Sequence, residues 1–400
     1  MPREKLLNVL LTEVVGKKDH LVFRFDGEQF DRVHVPENVC SALSELPQTQ
    51  KILGQLYNQG YSRSSLGIHH LGTALVLRAL ASDAESALNS LFDFFAEETV
   101  ASIEIIQLGG IEVNQTFEIS DGIFISKLDD VPSDTLKEVI VKNSAKPQAS
   151  NIFFQNPADY TEITRQPTAA IYRLKEITPK FFSVNNREYE KFDKDDVKLL
   201  ILISELLTLI GPSSPVIRRR YIELQQGSFL FGVMGRATDA PYEETRVESS
   251  YLATPNDIAD FKSILADYLS LPEKRRSELA VPLHRLNQAI RHKNHVDKAI
   301  DLGVALEALL LDGDKEQLTL QFRLRGAWLL GKNLESRREI SDLLKDLYKL
   351  RSQAAHTGKI SEKDTSRTES LLKRGIELCS EMIKVLIKSK PDWNNLILGG

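Results

Sequence analysis

The pattern of apolar and polar positions changes at Thr254-Pro255. Before this point, short segments of alternating apolar and polar residues lie among segments with a helical period, a mixture typical of α+β proteins. After it, apolar residues recur at helical spacing as far as Lys388. Threonine is a good N-cap and proline suits the first helical position, so a helix should begin here. The sequence therefore predicts an α+β fold, with a mixed α/β region over residues 1–254 and an all-α bundle over residues 255–400.

The region before Thr254 forms either one unit or two subdomains with a boundary near residues 130–165, where the chain becomes polar and loop-like. Alternating segments predict strands over residues 20–25, 74–80, 102–108, 116–119 and 122–127. Helices are predicted after the capping box Ser82-Asp83-Ala84-Glu85 and over residues 195–210. Residues 216–236 predict a strand pair joined by a turn at 226–228, and the glycines of 227–235 lack the Gly-Lys-Ser/Thr ending of a phosphate loop.

The bundle is predicted to contain six helices joined by short polar connections. The segment that begins at Leu318 alternates like a strand, but its length and its helical neighbours favour a helix. The helices are predicted over residues 255–269, 274–290, 294–311, 315–330, 336–356 and 366–388.

Composition excludes several classes of protein. The only two cysteines, Cys40 and Cys379, have no CxxC or Cys/His spacing around them, which argues against a disulfide framework or a structural zinc site. No secretory signal pattern opens the chain, and the most apolar run, residues 197–210, is too short for a membrane span and contains Glu205. We therefore expect a cytoplasmic protein with no membrane role and no cofactor.

Charge is distributed unevenly within a net charge of −5. Residues 271–400 carry 24 Lys and Arg against 18 Asp and Glu, a net charge of +6, whereas residues 1–270 carry 27 against 38, a net charge of −11. A mildly basic bundle tolerates a polyanionic partner without requiring one.

The helix predicted over residues 336–356 ends in an unusual combination of side chains. Its capping box is Ser336-Arg337-Arg338-Glu339, and one row at four-residue spacing runs from apolar Ile340 through Leu344 and Tyr348 to polar Ser352 and His356. Arg351 lies beside this row, and Gly358 offers a terminator. Histidine transfers protons near neutral pH and arginine binds phosphate through a planar fork, a combination suited to cleaving a phosphodiester without a metal.

RNA is the natural substrate for such a pair, because its 2′-hydroxyl can act as an internal nucleophile. On spacing alone, a histidine that complements the dipole at a helix C-terminus explains the same pattern.

Other candidate residues have structural interpretations that we favour. Glu307 lies on an apolar helical row and needs a cationic partner, for which Arg325 or Arg323 on the next helix is predicted. A salt bridge within the bundle is favoured over a catalytic role.

The remaining polar clusters do not indicate a metal or nucleic-acid site. His284, His292 and His295 have no acidic or cysteine partner at a familiar ligand spacing, so no metal site is predicted. The basic run Arg218–Arg220 is interpreted as a solvated or inter-domain strand face, with Arg218 and Arg220 on the same side.

Three segments of the bundle carry a resemblance to a known family. They are AIDLGVALEALLL (299–311), LQFRLRGAWLLG (320–331) and LYKLRSQAAHTGK (347–359). In this order and spacing they resemble a HEPN domain, in particular the Apea-like branch found in prokaryotic antiviral and abortive-infection proteins. The family signature is an arginine, a polar follower and then a histidine, matched here by Arg351, Ser352 and His356 with four residues between arginine and histidine. The follower is more often Asn, Asp or His, so Ser352 departs from the pattern.

The resemblance implies a metal-independent endoribonuclease that acts as a toxin or effector in antiviral defence. It implies a homodimer in which two Arg/His pairs form one site. In that site His356 acts as general acid and base, Arg351 stabilises the phosphate, and Ser352 is an orienting group. Tyr348, Glu307 and Arg325 are the expected supporting or interface residues.

Residues 102–128 resemble a strand-rich segment that precedes such domains, which implies that the N-terminal region regulates the bundle or binds a protein or phage-derived trigger. The alternative is a catalytically inactive HEPN scaffold that dimerises and binds a protein or RNA partner.

Overall fold

A computed structural model describes residues 2–15, 22–23, 32–132, 167–183, 194–225, 227–234, 237–239, 250–311, 317–360 and 365–398. The predicted fold class is confirmed. Strands and helices mix in the N-terminal region, and every described element from Pro255 onward is a helix. None of the described helices is long and apolar enough to cross a membrane.

The N-terminal region contains short helices around a set of strands. Its helices are α1 (Pro2–Val9), followed by a π-helical turn, α2 (Glu37–Ser44), α3 (Pro47–Ile52), α4 (Ile68–Ala81), α5 (Ala84–Ala96) and α6 (Lys194–Leu206). Its strands are β1 (Val22–Phe23), β2 (Arg32–Val33), β3 (Gln55–Asn58), β4 (Arg63–Ser65), β5 (Val100–Gly109), β6 (Ile111–Val113), β7 (Phe117–Ser120), β8 (Ile123–Ser126), β9 (Ala169–Ile177), β10 (Phe181–Ser183), β11 (Val216–Leu224), β12 (Ala237–Asp239) and β13 (Tyr251–Ala253).

Six of these strands form one antiparallel sheet in the order β12-β11-β5-β9-β8-β7. β5 and β9 are its long centre, paired from Val100 opposite Ile177 to Leu108 opposite Ala169. Nearly every residue of β5 is buried, because the strand has a neighbour on each side and packing on both faces. That explains why its sequence is an almost continuous apolar run.

One face of the sheet is shared by two hydrophobic cores. Side chains alternate between faces along a strand. On one face of β5, Val100 joins a core with α1, α2, α4 and α5, while Ile106 and Leu108 join the core of the C-terminal helices. Ile103 and Ile105 point to the opposite face and form a small third cluster. The sheet therefore connects the N-terminal helices to the bundle.

A buried polar cluster lies between the two cores. Glu104 on β5 is fully buried and accepts hydrogen bonds from the Tyr61 hydroxyl and from Arg173, whose Nη2 lies 2.6 Å from the Glu104 carboxylate. Arg220 lies over the Tyr61 ring, 5.0 Å from its centroid. Burial raises the pKa of the Tyr61 hydroxyl, and the charge of Glu104 raises it further.

The C-terminal bundle consists of long helices packed closely together. They are α7 (Pro255–Ser270), α8 (Glu273–Arg291), α9 (His295–Leu310), α10 (Leu318–Leu330), α11 (Leu334–Thr357), α12 (Thr365–Lys388) and the short α13 (Trp393–Leu398). A side chain at Gly326 of α10 would come within 2.4 Å of Leu344 on α11, so glycine allows these two helices their close approach. The bundle core continues into α6 and the sheet.

Several predicted elements need correction. The predicted strand over residues 74–80 is wrong, because this run lies in α4. The buried apolar residues of α4 belong to the N-terminal core. A long apolar run does not distinguish a buried helix from a buried strand. The predicted strand pair over residues 216–236 is half right, because β11 forms but residues 227–234 are turns, and β11 pairs with the three-residue β12 instead. Of the strand predicted over 20–25, the described part is Val22–Phe23.

Two local predictions also need correction, one in the start of a helix and one in the alternation along a strand. The N-cap of α11 is Asn333, which accepts a hydrogen bond from the Ser336 backbone, so the helix begins one turn before the predicted box. β11 has a register shift between Ile217 and Arg219, and this bulge breaks the alternation assumed for the basic run. Arg218 is consequently buried, at 9% exposure, and is not a solvated residue.

Candidate functional site

The last two turns of α11 carry Arg351, Ser352 and His356. The four-residue row that contains Ser352 and His356, with Arg351 beside it, passes from fully buried Leu344, through half-buried Tyr348 and Ser352, to exposed His356. Gly358 ends the helix in the left-handed conformation, with φ of 63°, and its N–H donates to the carbonyl of Ala354 at 2.9 Å. The row therefore starts in the core and ends at the surface, as its sequence predicts.

Arg351 is held against α9 by an ion pair with Glu307. Its Nη2 lies 3.1 Å from Oε2 of Glu307, and the two side chains are 29% and 23% exposed. The predicted partners, Arg325 and Arg323, are wrong. Arg323 instead lies at Ser341, 3.2 Å from its carbonyl oxygen. Periodicity located Glu307 on its helix face, but it did not identify which neighbouring helix supplies the cation.

Gly303 makes this contact possible. A Cβ atom at residue 303 would lie 2.2 Å from Cγ and 2.9 Å from Cβ of Arg351, so the arginine stem rests directly on the backbone of α9. Glu307 is one turn further along the same face of α9. The apolar pattern of α9 alone does not assign Gly303 a role. The available signal was a glycine inside a helix, where it costs about 1 kcal/mol relative to alanine and so suggests a close approach.

The electrostatics of the Glu307–Arg351 pair reflect its partial burial. Burial raises the pKa of the Glu307 carboxyl, and the positive charge of Arg351 opposes that shift. The Nε of Arg351 is buried and has no hydrogen-bond acceptor among the described residues. Glu307 thus orients the guanidinium without using all of its five donors.

Tyr348 and Arg325 occupy separate positions from this pair. The Tyr348 ring packs against Phe322 of α10, with centroids 5.6 Å apart. Arg325 is buried, donates to the carbonyl of Leu310 at 2.7 Å and lies 5.2 Å from the ring centroid of Trp393. Arg325 therefore ties the C-terminus of α9 to α13, a structural role away from Glu307.

His356 is exposed and makes no hydrogen bond or ion pair with the part of the chain that the structure describes. Five residues at about 100° each put it about 140° around α11 from Arg351. Ala355 beside it is exposed, whereas Ala354 is buried in its own bundle. One copy of the chain therefore brings together Arg351 and Glu307, and it presents His356 outward on the same helix end.

The histidines of the α8–α9 junction have other partners. His292 Nε2 lies 2.9 Å from Asp301, and Asp301 also binds Arg285 at 2.7 Å. His295 lies 3.6 Å from Glu369. Within the described ranges, no group of three or more His, Cys, Asp or Glu side chains is placed to hold a metal ion.

Comparison with known proteins finds no matching family model, no matching curated protein and no matching solved structure. The HEPN resemblance therefore depends on the three quoted segments and their spacing. Any function proposed for the bundle must be argued from the chemistry of its own residues.

Proposed function

We propose that the C-terminal bundle is a metal-independent endoribonuclease of HEPN type, a toxin or effector in antiviral defence. The observation that supports the proposal is the way Arg351 is held. Gly303 and the half-buried carboxylate of Glu307 keep its guanidinium near the exposed end of α11, and His356 lies on that same helix end. A guanidinium oriented by a carboxylate is a common way to present a fork of donors to a phosphate.

The proposed site is completed by a second copy of the chain. Because Arg351 and His356 lie about 140° apart on α11, one copy does not enclose a phosphate between them. Two α11 ends that meet face to face supply two guanidiniums and two imidazoles to one crevice. The exposed His356 and Ala355 are the surface available for this contact.

In the proposed reaction, the 2′-oxygen of the RNA attacks the adjacent phosphorus while the neutral imidazole of one His356 takes the hydroxyl proton. The bond from phosphorus to the 5′-oxygen breaks, and the protonated imidazole of the partner subunit's His356 gives its proton to that leaving oxygen. Arg351 stabilises the additional negative charge on the phosphate oxygens. The products are a 2′,3′-cyclic phosphate and a 5′-hydroxyl.

Growth inhibition and RNA breakdown in cells test this proposal. Wild type should inhibit growth and fragment RNA, whereas Arg351→Ala and His356→Ala should do neither. Arg338→Ala and His284→Ala are matched controls, because both residues are exposed side chains of the same bundle, and they should behave as wild type. RNA fragments should accept a 5′ label directly, as expected for 5′-hydroxyl ends. Equal behaviour of all five proteins would refute the nuclease.

A mixture of the two inactive variants tests the shared site. A mixed pair of Arg351→Ala and His356→Ala copies contains one guanidinium and one imidazole from different subunits. Because the mixed pair keeps only one of the two imidazoles that the reaction uses, cleavage should return in part, above the rate of either variant alone. A mixed dimer as fast as wild type would contradict the use of two imidazoles, and one no faster than either variant would contradict a site in which groups of the two subunits act together.

The scaffold remains the second candidate, and one observation favours it. Glu307 already neutralises Arg351 within the chain, so a phosphate must compete with a carboxylate for the guanidinium. A scaffold predicts RNA or protein binding that survives His356→Ala with no RNA cleavage by any variant.

A further inference from the structure

A cavity of the bundle lies away from α11. It has a volume of about 550 Å³ and is lined by the end of α8, the start of α9, the middle of α12 and the segment 211–214 that leads into β11. It is therefore located where the sheet region meets the bundle. Lys298, which lines it, is nine residues before Glu307 on α9, and at about 100° per residue the two side chains lie on opposite sides of that helix.

The lining of this cavity is predominantly cationic. Its charged side chains are Arg291, Lys293, Lys298, Lys373, Glu369 and Glu377. Four cationic side chains against two carboxylates leave two positive charges in excess, with the two histidines not counted. Burial lowers the pKa of Lys298, and the charge of Glu369 opposes that shift. A partly buried ammonium gains more from an anion than an ammonium in open solvent does, because the local dielectric is lower.

Hydrogen bonds from buried groups position the cavity wall. Asn287, only 5% exposed, accepts from Nη2 of Arg291 at 2.5 Å and donates to the Pro215 carbonyl at 3.1 Å. The Arg291 guanidinium is thereby fixed relative to the segment that leads into β11. His292 is fixed in the same way by its 2.9 Å contact with Asp301. Arg291 and His292 are therefore held in place by the fold, whereas Lys293 and Lys373 are exposed at the rim.

One side of the cavity is apolar. Leu372 and Ile376 of α12 are buried and line it together with Ile290 and Pro212. An anion alone does not use this surface, whereas a molecule with an anionic end and a flat or apolar end uses both sides. Small-molecule sites commonly combine an apolar wall with a few placed polar groups, in volumes of about 300–1,000 Å³.

We propose that this cavity binds a small organic phosphate of nucleotide size. The phosphate group contacts Arg291, Lys298 and Lys373, and the apolar end packs on Leu372 and Ile376. Because the ligand contacts both segment 211–214 and the bundle helices, its binding stabilises the junction of the two regions. This site is separate from the Arg351 site, and the proposal does not depend on nuclease activity.

Calorimetry on the full chain tests the proposal with three probes: ADP, pyrophosphate and adenosine. ADP and pyrophosphate should both bind, ADP more tightly, and adenosine at least about tenfold more weakly than ADP, the factor expected for losing one good charged contact. Binding of both anions should weaken as salt concentration rises. A rise in the melting temperature with ADP gives an independent readout.

Charge-removing variants identify the cavity as the site. Lys373→Gln changes an exposed residue and should fold normally; it and Lys298→Gln should each weaken ADP binding about tenfold. Lys274→Gln, an exposed lysine of α8 that does not line the cavity, is the matched control and should bind ADP within a factor of about two of wild type. The proposal is overturned if neither anion binds at about 1 mM, if adenosine binds as well as ADP, or if Lys373→Gln binds ADP like the control.

Discussion

Substituting Gly303 by alanine should destabilise the bundle by displacing Arg351. The new Cβ would lie 2.2 Å from Cγ of Arg351, so the arginine stem must move and the 3.1 Å contact to Glu307 is lost. Overpacking of this kind costs about 1–3 kcal/mol. Alanine returns about 1 kcal/mol through its higher helix propensity. The expected net loss is about 0–2 kcal/mol of unfolding free energy.

A double-mutant cycle isolates the clash. Arg351→Ala removes Cγ, which leaves only the 2.9 Å contact with Cβ, so Gly303→Ala should cost at least about 1 kcal/mol less in that background. Ala308→Gly, at an exposed position of the same helix, is the matched control and reports the propensity difference alone, about 1 kcal/mol.

Urea unfolding followed by tryptophan fluorescence measures these values in the bundle. Both tryptophans of the chain, Trp328 and Trp393, belong to bundle helices, so the signal comes from the region that contains the substitution. An equal cost of Gly303→Ala with and without the Arg351 side chain would refute the packing of Arg351 on α9. A stabilised Gly303→Ala single variant would refute it as well.

Two further predictions concern buried charges of the N-terminal region. Burial lowers the pKa of Lys180 to about 8 from 10.5, so the unfolded chain binds more protons between these values and stability should rise with pH there. Lys180→Met should abolish that rise in urea midpoints between pH 7 and 10, and identical pH profiles would contradict the burial. Glu104→Gln should cost about 3 kcal/mol, because Arg173 and Tyr61 lose their buried anionic partner. Calorimetric unfolding measures this change. A loss of unfolding free energy below about 0.5 kcal/mol, as for a solvent-exposed ion pair, would contradict the prediction.

The bundle helices could be predicted closely because their apolar residues recur at a period that tertiary packing reinforces. The prediction for 255–269 became α7 (Pro255–Ser270), with Thr254 as its N-cap. The failure at 74–80 has a physical cause as well. A helix apolar on most sides and a buried strand share the same composition, and only the neighbouring elements decide between them.

The candidate site was predictable in its residues but not in its contacts. Arg351 and His356 follow from the pattern of one helix. The Glu307–Arg351 pair joins residues 44 positions apart on different helices, and its geometry depends on how α9 and α11 pack. Periodicity specifies which face of a helix is buried, whereas the crossing of two helices depends on side-chain size at the contact, here the absence of one at Gly303.

The most direct test of the proposed nuclease is single-turnover cleavage of a defined RNA by the purified chain in the presence of a chelator. The proposal predicts that wild type cleaves and that His356→Ala and Arg351→Ala are each slower by about 10²–10⁴-fold. A strand of the same length with deoxyribose at every position should not be cut, because it lacks the attacking 2′-hydroxyl. Wild-type cleavage that the chelator abolishes, or equal rates for wild type and both variants, would contradict it.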